Sequence, residues 1–177
     1  AVLRAYIRQR ERLLEFKASH IQHIQKALMQ MNLQLHHVIS DITGATGMKI
    51  IRKIIAGERC PSVLAQYRDI RCKESSETIK KSLKGNYQEE HLFSLKQTIE
   101  LFDYYIEKVN ECDRRIEETL SLLGNDKPPL DKPLPKARHR TKQHNALTFD
   151  VRASLYQVLG IDLTQIHGIG PSLEIGR

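Results

Sequence analysis

Three groups of residues have types and spacings that bear on chemistry. His20 and His23 stand three apart, a separation that puts both imidazoles on one face of a helix, where two metal ligands belong. No third ligand lies at a suitable spacing, so no metal site is assigned and the pair is read as solvated helix surface. Arg138-His139-Arg140-Thr141-Lys142 is a basic run that can track a phosphate backbone, with Arg138, Arg140 and Lys142 as its contacts and a strong dependence on salt. Leu163-Thr164-Gln165-Ile166-His167-Gly168-Ile169-Gly170-Pro171 has the form of a helix-hairpin-helix turn, in which Gly168 and Gly170 leave backbone N–H groups open to phosphate. A fourth, weaker feature is Gly44-Ala45-Thr46-Gly47, a Gly-x-x-Gly turn ahead of a helix, read first as a helix stop and second as a phosphate contact. Cys60, Cys72 and Cys112 are odd in number and match neither a disulfide framework nor a zinc motif, which points to a reducing, cytoplasmic setting.

Metal-assisted or nucleophilic catalysis requires clustered carboxylates around a divalent metal, an activated nucleophile, or both. Here the acids are spread along solvated helix faces, and no catalytic residue is assigned.

The elements that must position these groups are helical. Alternate steps of 4 and 3 from Leu3 give Ile7, Arg10, Leu14, Lys17, Ile21, Ile24, Leu28, Met31, Leu35, Val38 and Ile42, apolar at ten of twelve positions. A 3.5-residue apolar period held this long predicts a coiled-coil helix, about 60 Å in length at 1.5 Å per residue. A second seam runs Leu92, Leu95, Ile99, Phe102, Ile106, Val109, Asp113, Ile116, Leu120 and Leu123, with Asp113 its one polar member. Residues 1–40 carry a net +4 and residues 92–123 a net −3. Opposite charge favours pairing the two helices with each other over pairing either with its own copy. Both intramolecular pairing and pairing across a dimer satisfy the pattern.

Between the seams, Gly44 and Gly47 end one helix and begin another from Met48 to about Ala56, with Ile50, Ile51, Ile54 and Ile55 inward. Gly57 closes that helix, Pro61 starts a short one through Tyr67, and Ser75 or Ser76 caps a third before Gly85. The result is a small helical cap over about 44–86. Pro128, Pro129, Pro133 and Pro135 then exclude regular helix from a basic linker, 124–148. From 149 the chain forms a truncated tail whose helix, Phe149 to Leu159, is closed by Gly160. The tail, 145–177, is expected to pack poorly for want of a partner helix. The fold class is therefore all-α: long heptad helices forming an antiparallel coiled-coil hairpin with a small helical cap (together 1–123), then the linker and a helix-hairpin-helix-like tail (149–177). The longest apolar runs are a few residues, far short of the roughly 20 that span a bilayer.

The order Leu3-Arg4-Ala5-Tyr6, Arg8-Gln9-Arg10-Glu11-Arg12-Leu13, His20-Ile21-Gln22-His23-Ile24-Gln25-Lys26-Ala27-Leu28, Ser40-Asp41-Ile42-Thr43-Gly44, Ala56-Gly57-Glu58-Arg59, Gly85-Asn86-Tyr87 and Gly160-Ile161-Asp162-Leu163-Thr164-Gln165-Ile166-His167-Gly168 resembles the middle region of the bridge-RNA-guided insertion-sequence transposases, relatives of the Piv-type DNA invertases. The resemblance covers nearly the whole chain. It implies an N-terminal RuvC-like domain with acidic ligands for a divalent metal such as Mg, a coiled coil for assembly, and a C-terminal domain bearing a nucleophilic serine. On this reading the chain is a fragment that starts after the acidic ligands and stops before the serine. Asp41, Asp150, Asp162 and Ser172 match none of those catalytic positions, and the sequence departs from the family at Pro171-Ser172-Leu173-Glu174-Ile175-Gly176. The implied partners are DNA, structured guide RNA, and further copies of the chain or an intact transposase, with no membrane. Two other readings stand beside it: a stand-alone coiled-coil interaction protein or inhibitor of an intact transposase, and a small basic nucleic-acid-binding protein.

Overall fold

The structure, a computed structural model, describes residues 1–127, 132–137, 145–166 and 170. It is all-helical, with no strand among the described residues, and a long first helix packs on a long sixth. The helices are α1 (Val2–Gln30), α2 (Leu35–Val38), α3 (Ala45–Ile55), α4 (Pro61–Leu64), α5 (Ser76–Ser82), α6 (Glu89–Asn125) and α7 (Val151–Leu159), with 3-10 turns at Ala65–Tyr67 and Leu163–Gln165. No described helix is long and apolar enough to cross a membrane.

Local signals account for most boundaries. Pro61 occupies the first turn of α4, where its missing N–H costs no hydrogen bond. Ser75 caps α5, its hydroxyl accepting from Thr78 N–H at 3.1 Å. Glu89 and Glu90 in the first turn of α6 oppose the positive end of the helix dipole. Asp150 caps α7 by accepting from Ala153 N–H at 3.1 Å, and Gly160, at φ 74°, ends it in the left-handed conformation.

One boundary differs from the heptad reading. The first seam is helical only to Gln30, about 44 Å rather than about 60 Å at 1.5 Å per residue. Asn32 adopts φ 55°, and the chain turns into the cap. There Asn86 N–H donates to the Met31 carbonyl and Gln34 N–H to the Ser82 carbonyl, each at 2.8 Å. Leu35, Val38 and Ile42 keep the apolar spacing but belong to the cap. The helix after the glycine turn also begins earlier than Met48, at Ala45.

The chain divides into two compact units, and both long helices contribute to each: Phe16–Tyr104 in one, Ala1–Glu15 with Tyr105–Arg177 in the other. The core of the first gathers Ile24, Leu28 and Met31 of α1, Ile50, Ile51 and Ile54 of α3, Leu64, Ile79 and Leu83 of the cap, and Leu92, Leu95, Ile99 and Phe102 of α6. Each buried Leu or Ile stabilises by about 1.5–3 kcal/mol. The core of the second joins Ile116 and Leu120 of α6 to Val151 and Leu155 of α7, with Leu3, Tyr6 and Ile7 of α1 packed against them. Val151 and Leu155 are each only 6% exposed, so residues 151–159 do not form the poorly packed tail expected from the sequence. The partner surface is the last turns of α6.

Candidate functional site

Both polar knots of the C-terminal unit are built on a carboxylate. Asp113 is the polar member of the α6 seam, and its partner is Arg10, a polar member of the α1 seam: Arg10 Nε donates to Asp113 Oδ1. Their side chains are 1% and 11% exposed respectively. The remaining valences reach a third segment. Thr148 N–H donates to Asp113 Oδ2 at 3.1 Å, and Arg10 Nη2 donates to the Asn145 carbonyl at 2.8 Å. Asn145 presents that carbonyl from a left-handed backbone, φ 58°. Cys112 is buried beside this pair; burial, with the neighbouring Asp113 carboxylate second, pushes its thiol pKa up. A raised pKa keeps it a thiol rather than a nucleophilic thiolate.

The second knot centres on Asp162. Its side chain caps the 3-10 turn through Thr164 N–H at 3.1 Å and accepts from Gln165 Nε2 at 2.9 Å, while Arg152 of α7 pairs with both carboxylate oxygens. Burial alone pushes the Asp162 pKa up, but the hydrogen bonds from Arg152, Thr164 and Gln165 outweigh it and hold the carboxyl well below the usual range. The same side chains reach the proline-rich segment. Arg152 Nη2 donates to the Pro135 carbonyl at 2.7 Å, Tyr156 Oη to Lys132 at 2.9 Å and Gln165 Nε2 to Lys136 at 3.4 Å.

In the other unit, a cleft of about 510 Å³ is lined by His37, Ser40, Asp41, Gly44, Thr46, Arg71 and Lys73, among others. Gly44 is the N-cap of α3. Gly47 has a different role: a Cβ there would lie 2.0 Å from the Ile42 carbonyl oxygen, so it is a packing glycine. Asp69, on the same cleft, is held at a pKa of about 2 by the hydrogen bond from the Arg71 side chain first and its backbone N–H second. The α6 surface of this unit carries Phe93, Leu101 and Tyr104 at 62%, 48% and 52% exposure. Their spacing of 8 and 3 places them on one helix face.

Arg138, Arg140, Lys142 and Gly168 lie outside the described residues, and Gly170 is half-buried. His20 and His23 do stack, with ring centroids 5.8 Å apart, and among the described residues no group of three or more His, Cys, Asp or Glu is placed to hold a metal. Both Asp113 oxygens are engaged, as are both Asp162 oxygens, so these groups position backbone. Sequence reasoning flagged Arg10 and Asp113 only as exceptions to two apolar patterns. It missed the Arg152–Asp162 knot, for which Asp-x-Thr, a local capping signature, is the available signal. Comparison with protein-family models, with curated proteins and with solved structures gave no match to this chain.

Proposed function

We propose that this chain is the coiled-coil segment of an insertion-sequence DNA transposase, continued into the start of its C-terminal domain. In this reading it supplies assembly surfaces and contacts to DNA and structured guide RNA rather than catalytic groups, and α1 and α6 are the two arms of an antiparallel coiled-coil hairpin. The observation that carries the reading is the packing of α1 on α6 through seams of opposite net charge. Two sets of neighbours support the antiparallel direction. Ile24 and Leu28, late in α1, share a core with Leu92 and Leu95, early in α6. Arg10, early in α1, meets Asp113, late in α6. Residues 149–177 are then a helix-hairpin-helix-like element, with Arg138, Arg140, Lys142, Gly168 and Gly170 as phosphate contacts. A divalent metal such as Mg belongs to the intact transposase.

The test is a titration of the chain with structured RNA and with duplex DNA over a range of salt. Binding that weakens steeply with salt, and a shallower slope in R138A/R140A/K142A, is the expected result. No detectable binding to either removes the nucleic-acid part of the proposal. The exposed Phe93, Leu101 and Tyr104 favour a second reading, in which the chain is an interaction protein that joins further copies or an intact transposase. Sedimentation equilibrium separates them: a monomer at all concentrations, with or without the full-length enzyme, excludes that reading.

A further inference from the structure

Arg10 and Asp113 are not satisfied by each other alone. Each has one bond across the helix pair and one to residues 145–148: Asp113 through Thr148 N–H, Arg10 through the Asn145 carbonyl. Asp113, with a side chain 1% exposed, has no water to replace a lost partner, whereas Arg10, 11% exposed, makes its bond to Asn145 at the exposed edge of the pair. Closing an apolar seam does not require such a pair, since well-packed apolar residues at both positions do it as well or better. What the charged pair adds is directional bonds to a third stretch of backbone, which leucines cannot make. The next two turns of α6 beyond Asp113 carry Ile116 and Leu120, the residues on which Val151 and Leu155 of α7 pack. The polar contact and the apolar contact therefore act on one continuous segment.

The geometry points to a latch: the Arg10–Asp113 pair makes docking of residues 145–159 conditional on the correct pairing and register of α1 with α6. A one-heptad slip of α1 displaces the guanidinium by about 10 Å at 1.5 Å per residue. Asn145 then loses its donor, and Thr148 faces a carboxylate whose countercharge has gone. A different copy of α1, wrongly registered, has the same effect. Because the coupling is a free energy shared by both events, release of the 145–159 segment must in turn weaken the pairing of the first turns of α1.

Amide hydrogen exchange on the full chain tests this with two variants. In R10L/D113L the seam is fully apolar. The expected result is exchange at least tenfold faster across Val151–Leu159, with Val109–Leu120 of α6 unchanged or slower. Unchanged protection of Val151–Leu159 overturns the latch. In T148P the tail's donor is removed while the charged pair stays. The expected result is the same release of Val151–Leu159 together with faster exchange across Ile7–Leu14. Release of the tail with Ile7–Leu14 unaffected overturns the coupling, and so does retention of the tail. Should R10L/D113L lose the helix pair altogether, T148P decides the matter alone.

Discussion

Replacing Gly47 by Ala separates the two roles open to the Gly-x-x-Gly turn. A Cβ at Gly47 would sit 2.0 Å from the Ile42 carbonyl oxygen, 2.6 Å from its carbonyl carbon and 2.9 Å from Ile39 Cδ1. The first two are backbone atoms, so no side-chain rotation relieves the clash; the 39–42 turn or the start of α3 has to move. Ile39 and Ile42 are 7% and 4% exposed, and Ile50, one turn further along α3, is fully buried, so movement disturbs the cap core. Overpacking of this kind costs about 1–3 kcal/mol, and a backbone clash at 2.0 Å belongs at the top of that range. Gly44 is the control. Its nearest neighbour would be the Asp41 carbonyl at 3.2 Å, and its φ of −73° suits any L residue. Gly44→Ala exchanges a favoured N-cap type for a poor one, which costs about 0.5–1 kcal/mol. With a urea slope of roughly 2 kcal/mol per molar, Gly47→Ala should lower the unfolding midpoint by about 1.5 M, and Gly44→Ala by about 0.4 M. Circular dichroism at 222 nm follows the transition. Equal midpoints for the two variants refute the packing argument. A stable Gly47→Ala protein that has lost affinity for phosphate would instead assign the glycine to binding.

Other outcomes follow from the same geometry. Ile54→Ala removes a fully buried side chain from the cap core and should cost about 2–5 kcal/mol, measured by the same urea transition; a loss under 1 kcal/mol contradicts its placement. Asp162 has a folded-state pKa below its unfolded value, so its contribution is present above about pH 4 and is lost as pH falls from there towards the folded value. Amide protection at Thr164 and Gln165 should therefore be flat between pH 5 and 7 and fall in acid, after correction for intrinsic exchange. Asp162→Asn should abolish that acid step, and its survival in the variant places the titration elsewhere. Cys60 is exposed whereas Cys112 is buried with a raised pKa, so a thiol reagent should modify Cys60 at least tenfold faster at pH 8. Comparable rates by peptide mass mapping would mean that the α6 seam opens readily.

The second seam was legible almost residue for residue: of its ten positions only Ile106 and Leu123 are exposed. In the first only Ile24, Leu28, Met31, Leu35 and Ile42 are buried and the rest half-buried, and the helix length was not legible. Apolar spacing reports which side chains face a core, and Leu35 and Ile42 face the cap core without continuing α1. The break depends on Asn32 in the left-handed region and on hydrogen bonds from Asn86 and Gln34, residues whose partners are distant in sequence. In the linker, assigned from 124, α6 runs on to Asn125, and the described residues 132–137, which include Pro133 and Pro135, are not helical. The contacts that hold residues 132–136 were not legible, because the acceptors are backbone carbonyls, identical at every position, and only the donors Arg152, Tyr156 and Gln165 are distinctive.

The polar members of the two seams also explain why net charge alone undersells the choice of partner. A +4 stretch against a −3 stretch favours mixed pairing only through exposed charges, which salt screens within about 10 Å. The Arg10–Asp113 pair is buried and escapes most of that screening. If α6 paired with a second α6, Asp113 would be buried without a countercharge, and a self-paired α1 would strand Arg10. Each such misplacement leaves a lone buried ion, which costs about 3–5 kcal/mol. The penalty falls on the wrong pairings rather than adding much to the right one, the usual way a single polar seam residue fixes partner and register. Asp113→Leu alone should accordingly destabilise the chain by about 3 kcal/mol in urea unfolding, because the partly buried Arg10 loses its countercharge and keeps only the Asn145 carbonyl. Adding Arg10→Leu should recover most of that loss. If the double variant is no more stable than Asp113→Leu, the two charges are not coupled, and partner choice rests on the exposed faces.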